Sequence, residues 1–144
     1  MCFEIHPDHS EVKVATEDIV CYKFFTPHTL GVDYVTPFQR VRVPKKSLME
    51  SELGQTDFDF RLDRSWVSLG IHSLTTLDEA LAYRARVLSH SFITIYVKCV
   101  VPKGSTYYFN PDTNQYVSNK LQLGEEIKFV KLRIFLNNLF NSLK

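Results

Sequence analysis

The sequence predicts a single α+β domain over residues 1–144, a mainly antiparallel sheet with one central helix and a C-terminal helix. Three observations lead there. The length of 144 residues is that of one domain, and 44% hydrophobic with 23% charged residues is the balance of a packed globular chain. Several short runs are rich in β-branched and aromatic residues and are separated by Pro/Gly turns, as strands are. Two stretches carry apolar residues at helical spacing instead.

The elements follow in order. Residues 1–13 read as a loose or edge segment. "EDIVCYKFF" (17–25) reads as a first strand, and "TPHTLGVDYVTPFQ" as turn-rich chain with two prolines and a glycine. "FQRVRVP" alternates, with Val41 and Val43 on one face and Arg40 and Arg42 on the other, and Pro44 ends it. The polar segment that follows predicts a short turn of helix near Ser47 to Leu53, stopped by Gly54. In "TDFDFRLDR", Asp57, Asp59 and Asp63 alternate with Phe58 and Phe60 as in an edge strand. The oxygen ligands and turn glycine of a calcium loop are missing. "WVSLGIHS" is a short strand.

Thr76 and Glu79 then form a T-x-x-E capping box, in which the hydroxyl and the carboxylate satisfy free backbone donors. Leu77, Ala80, Leu81 and Leu88 make an apolar stripe behind it, so a helix is predicted over 77–88 and must pack on the sheet. "TIYVKCVV" (94–101) is a strand, "PKGS" a turn, and "TYYF" a hairpin partner with Tyr107 and Tyr108 on opposite faces, one in the core and one exposed. After the turn "NPDTNQ", "YVSNKLQLG" reads as another strand. In the tail, "EIKFVKL" is a strand. Leu132, Phe135, Leu136, Leu139 and Phe140 then recur at i, i+3, i+4, i+7 and i+8, a final amphipathic helix. That helix either packs on the domain's own sheet, docks a partner or a second copy, or lies on a membrane surface with Lys128, Lys131, Arg133 and Lys144 as its modest basic side. The chain is accordingly expected to be a monomer or a homodimer through this helix.

Composition narrows the function classes. A formal charge of +1 gives no general attraction to nucleic acid or acidic membranes, and Arg40, Arg42, Lys45 and Lys46 are a small basic patch. No apolar run approaches the roughly 18 residues of a membrane span, and the start "MCFEIHPDHSEVK" has no apolar signal core. The expected compartment is cytoplasmic. Cys2, Cys21 and Cys99 are odd in number and widely spaced, neither a disulfide framework nor a CxxC zinc site. Cys21 and Cys99 sit in apolar runs and read as small buried hydrophobes. The residues imply no cofactor and no metal.

Candidate ligand-binding residues gather at three places. His72 precedes the capped helix, whose amino end carries free N–H groups and partial positive charge. It is expected to be partly buried and mainly neutral, either fixing the strand-to-helix turn or facing a cleft with Ser73 and Thr75 as extra donors. Ser118 and Asn119 lie either at a strand edge or along a cleft. Tyr22 and Lys23 on the first strand and Glu126 in the late strand complete the set. No complete catalytic set stands out, because G-x-S-x-G and the P-loop spacing are both absent. The expectation is a module that binds a small molecule or a protein partner.

Two resemblances add to this. "TEDIVCYKFF", "TPFQ", "LGIHSLTTLDEA", "VKCVVPKGSTYY" and "YVSNKL", in that order and over roughly residues 14 to 125, resemble a family of small proteins of Bacteroidetes-type bacteria and their phages. No established activity comes with that family. More distantly, the order of strands around "GIHSLTTLDEALAY" is similar to the ADP-ribosyltransferase-like fold. That resemblance implies an alternative, a nucleotide (NAD)-handling enzyme with Tyr22 or Lys23, His72, and Glu125 or Glu126 around one cleft. Tyr22 and Lys23 stand where such enzymes use His or Arg. The Ser-Thr-Ser and Glu-x-Glu motifs are not present, and adjacent Glu125 and Glu126 point to opposite faces of a regular strand.

Overall fold

A computed structural model describes residues 3–5, 11–28, 33–36, 40–55, 65–87, 93–128 and 130–143. Strand accounts for 48% of the structure and helix for 20%. The α+β expectation with a central helix is therefore corrected: the domain is a β-rich fold with two peripheral helices. Its strands are β1 (Phe3–Ile5), β2 (Lys13–Val14), β3 (Ile19–Pro27), β4 (Asp33–Val35), β5 (Arg42–Pro44), β6 (Leu48–Glu50), β7 (Gly54–Gln55), β8 (Ser65–Leu69), β9 (Ile71–Leu74), β10 (Ile95–Val101), β11 (Thr106–Asn110), β12 (Gln115–Ser118) and β13 (Lys120–Glu126). The helices are α1 (Leu77–Val87) and α2 (Val130–Ser142).

All strand pairs are antiparallel. The main sheet runs β2-β11-β12-β9-β3-β10-β13-β6, with β4 added to β3 and β5 to β4, while β1-β8-β7 form a small second sheet. Strand β3 sits at the centre because it alternates apolar side chains on both faces. Cys21 and Phe25 enter the main core with Val97, Cys99 and Val101 of β10, Leu121 and Leu123 of β13, Ile71, and Tyr34 and Val43. We call this the inner face. Tyr22 and Phe24 face the other way, and there α1 covers Phe24, Leu74 and Tyr96 with Ala80, Leu77 and Leu81. Burying each of these large side chains contributes roughly 1.5–3 kcal/mol.

The physical reason that α1 is a cover rather than a centre is its short apolar stripe. Ala80 is its one fully buried residue, at the spot where the helix crosses β3 and β9. The cap holds as to Thr76, whose Oγ1 accepts the Glu79 amide at 3.1 Å. The Glu79 carboxylate accepts from Asn114 Nδ2 instead (3.1 Å), tying the helix start to the β11–β12 turn. At the other end Arg84 Nε donates to Thr94 Oγ1 (2.9 Å). Leu88 lies outside the described residues.

Other expectations change too. Residues 48–50 pair with β13 as a strand, so the helical turn near Ser47 to Leu53 is not formed. Arg40 takes a positive φ of 55°, which breaks the alternation expected from residue 38: Val41 is 51% exposed while Val43 is 4% exposed. "YVSNKLQLG" is two strands, because Asn119 turns the chain from β12 into β13. The strand expected in "EIKFVKL" ends at Glu126, and α2 begins at Val130. Tyr107 packs on the inner core and Tyr108 joins Val117 and Leu53 on the opposite side, so neither tyrosine is a solvent-facing residue. The alternating Asp57–Asp63 segment lies outside the described residues.

Gly70 separates β8 from β9 at a φ of 141°. A Cβ there would meet Val117 Cγ1 at 2.4 Å and Leu53 Cδ1 at 2.9 Å. The kink thus needs glycine both for its dihedral and for the close approach.

Candidate functional site

The polar residues of the inner face gather around Lys23. Alternation along β3 puts Lys23 on the same side as Cys21 and Phe25. The β3–β9 ladder has the Tyr22↔Leu74 register, which sets Ser73 beside Lys23. Lys23 Nζ donates to the main-chain carbonyl of His72 at 2.8 Å and lies 5.7 Å from the centre of the Phe25 ring. Burial pulls its pKa down to about 8, and the neighbouring Cys99 and Cys21 sulfurs oppose that shift when ionised. Among the described residues no carboxylate pairs with this ammonium.

Two buried hydroxyls share this face, Ser73 beside Lys23 and Ser118 on the next strand, opposite Ile71. Ser73 and Ser118 are both buried, and neither hydroxyl makes a well-formed hydrogen bond among the described residues. The polar neighbour of Ser73 Oγ is the Cys21 thiol, a weak one. Cys21 and Cys99 stand directly opposite each other in the β3–β10 register and are fully buried free thiols. Burial pushes them up to about 11 and about 12, so both remain protonated and unreactive at neutral pH.

Glu126 reaches the same face through a β-bulge. Between β10 and β13, Val97 pairs with Glu126 and Cys99 with Leu123, so three steps on β13 oppose two on β10. The extra residue reverses the alternation: Leu123 and Glu126 share the inner face, and Glu125 turns outward to an ion pair with Lys46 (3.3 Å). Gly124 permits this because a Cβ there would come within 2.7 Å of the Lys98 carbonyl oxygen. Val97 pairs with Lys23 on its other side, so Lys23 and Glu126 are two strand spacings, about 10 Å, apart.

A stacked pair, Phe25 and Tyr34 with ring centres 5.0 Å apart, shares contacts with both: Phe25 with Lys23 and Tyr34 with Glu126. Tyr34 Oη donates to Glu126 Oε2 at 3.4 Å. Burial first, and the Glu126 carboxylate second, push the Tyr34 phenol up to about 12. Lys45 Nζ completes the rim, 5.5 Å from the Tyr34 ring and 4.0 Å from Glu126 Oε2. Asp33 and Arg42 pair nearby and hold β4 against β5.

The expected site residues therefore separate. Lys23, Ser73, Ser118 and Glu126 come to one face. Tyr22 lies on the α1 side. Alternation within β9 puts the His72 ring opposite to Ser73, away from Glu126, so His72 serves this site through its carbonyl. Burial, then the charge of Lys23, lower its pKa to about 4, so the imidazole is neutral at pH 7 for these reasons. Thr75 sits at the β9–α1 bend with its N–H bonded to the Asn114 carbonyl (3.1 Å). Asn119 is a clasp: its Oδ1 accepts from Thr106 N (3.0 Å), its N–H donates to Thr106 O (3.1 Å), and its carbonyl accepts from Ser51 N (2.9 Å).

Tyr34 escapes a reading by sequence, and so does the place of Lys45 and of the two thiols beside these site residues. The Cys21-x-Lys23 spacing does put both on one face, and a glycine inside "QLGEE" is the usual mark of a bulge. Among the described residues no group of three or more His, Cys, Asp or Glu is arranged to hold a metal ion, and no helix is long and apolar enough to cross a membrane. Comparison with protein-family models, curated proteins and solved structures finds no match to this chain.

Proposed function

We propose that this domain binds a small ligand through an anionic group, a carboxylate or phosphate, held by the Lys23 ammonium with Ser73 as a neutral donor. The observation that carries this reading is Lys23 itself. An ammonium placed in a core face beside two thiols, with a carbonyl as its acceptor, costs stability that an apolar residue would not. Such a cost is expected where a bound anion completes the set. Ser73 adds a hydroxyl that an incoming oxygen could satisfy. The test is a thermal-shift series with inorganic phosphate, simple carboxylates, NAD and mononucleotides against the native chain and Lys23→Met. A ligand at a hundred times its Kd stabilises by about 2.7 kcal/mol. We expect that shift in the native chain and none in the variant. Equal shifts in both, or none with any probe, reject the reading.

A second reading, the nucleotide (NAD)-handling enzyme, gains support from the bulge that brings Glu126 to the face that carries Lys23. It needs the pair without the His72 ring. Release of nicotinamide from NAD, lost in Glu126→Gln, would support it, whereas binding of NAD without turnover supports the first reading.

A further inference from the structure

Among the described side chains of α2, Val130 is the one that packs against the sheet. Val130 packs beside Phe24 and Tyr96 with Ile127, but Leu132, Phe135, Leu136, Leu139, Phe140 and Leu143 are 40% to 75% exposed. These six recur at i, i+3, i+4, i+7, i+8 and i+11, one continuous stripe. Of the arrangements expected for this helix, packing of the stripe on the domain's own sheet is not the one formed.

We propose that the α2 stripe is a self-association surface, covered by the same stripe of a second copy of this chain lying antiparallel to it. Three features select that occupant. First, a helix of 13 residues is marginal in water unless a face is packed, so α2 needs a cover to persist. Second, the area fits. A large side chain presents ~150–250 Å² when fully exposed, so the stripe offers on the order of 600 Å² of apolar surface. A standard interface takes about 800 Å² from each partner, and the exposed Asn138 and Asn141 can supply the polar rim. A self-complementary patch of this kind closes as a two-fold dimer.

Third, the charges fit. In the sequence Lys128, Lys131 and Arg133 lie toward the amino end, while the carboxyl half from Asn137 to Ser142 carries no charge and Lys144 alone follows it. In an antiparallel pair, each basic end lies along the partner's carboxyl end, where the helix dipole is negative. A parallel pair would bring the two basic ends together. Membrane-surface helices instead spread their basic residues along the polar face, which this helix does not. The stripe is independent of the ligand site, since none of its residues lines the inner face.

Sedimentation equilibrium of the full chain, over a hundredfold range of concentration, tests it. The expected result is a dimer of the 16.7 kDa chain that dissociates on dilution. Phe135→Glu with Leu139→Glu should give a monomer with an unchanged sheet signal by circular dichroism. Leu136→Gln alone should weaken dimerisation at least tenfold, which keeps the test valid if the double variant misfolds. Lys131→Glu with Arg133→Glu should also weaken it. A native chain that stays monomeric at every concentration overturns the proposal. So does a dimer that survives the stripe variants, or a monomer that floats with phosphatidylcholine/phosphatidylglycerol vesicles through this stripe.

Discussion

Lys23 and His72 meet through the main chain: Lys23 Nζ donates to the carbonyl oxygen of His72 at 2.8 Å, and the imidazole plays no part in the contact. The histidine that stands out in the sequence therefore orients the lysine by its backbone. Any change at position 72 that preserves the strand should preserve the lysine contact.

Lys23 should make stability rise with pH just above neutrality. Its pKa is about 8 in the folded chain and 10.5 when free. Below pH 8 both states carry the proton and the full desolvation cost is present. As pH rises above 8 the folded state loses its proton first, so this group adds stability from about pH 8 upward. The buried thiols reverse the trend above their free value of 9.0, because the unfolded chain then ionises first. Urea titrations should show stability rising between pH 8 and 9 in the native chain and a flat profile in Lys23→Met. That variant should also be more stable at pH 7, by ~1–3 kcal/mol, since each tenfold change in proton affinity is worth about 1.4 kcal/mol and partial exposure reduces the total.

A second pH window belongs to His72. Its folded pKa of about 4 lies below the free value of 6.5. The unfolded chain therefore binds the proton first as pH falls. Stability declines from about pH 6.5 toward pH 4, by up to ~3 kcal/mol at about 1.4 kcal/mol for each tenfold change in proton affinity. His72→Gln should flatten the profile between pH 6.5 and 5, above the range where carboxylates titrate. An unchanged slope in that variant would assign the decline to other groups.

Gly70→Ala should be among the most damaging single methyl additions. The residue needs a φ of 141° and meets Val117 and Leu53 within 3 Å of the new carbon. Strained dihedral and overpacking together cost roughly 2–5 kcal/mol, which differential scanning calorimetry would read as a large fall in Tm.

Asn119→Ala removes the acceptor of the Thr106 amide and leaves that N–H partly buried without its side-chain partner. The expected loss is about 1–3 kcal/mol, with ligand-induced stabilisation at Lys23 retained. Loss of ligand response at unchanged stability would instead make Asn119 a binding residue.

Much of the local structure is legible in the sequence. β-branched and aromatic runs mark β3 and β10, the Thr76 cap marks the start of α1, and burial of Cys21 and Cys99 follows from their apolar settings, because these signals act over a few residues. The strand at Leu48–Glu50 is not legible: its three residues carry no strand pattern of their own and take their conformation from pairing with β13. The same holds for the site. The sequence singles out Lys23, Ser73, Ser118 and Glu126 along with Tyr22, His72, Thr75 and Asn119, without separating the two groups. Strand register, one bulge at Gly124 and the alternation of faces make that separation, and each depends on contacts between residues far apart in the chain. Amphipathic spacing likewise determines that α2 has an apolar stripe, whereas the tertiary structure decides that the stripe faces outward, because the contact with the sheet is made by Val130, which is not one of the stripe residues.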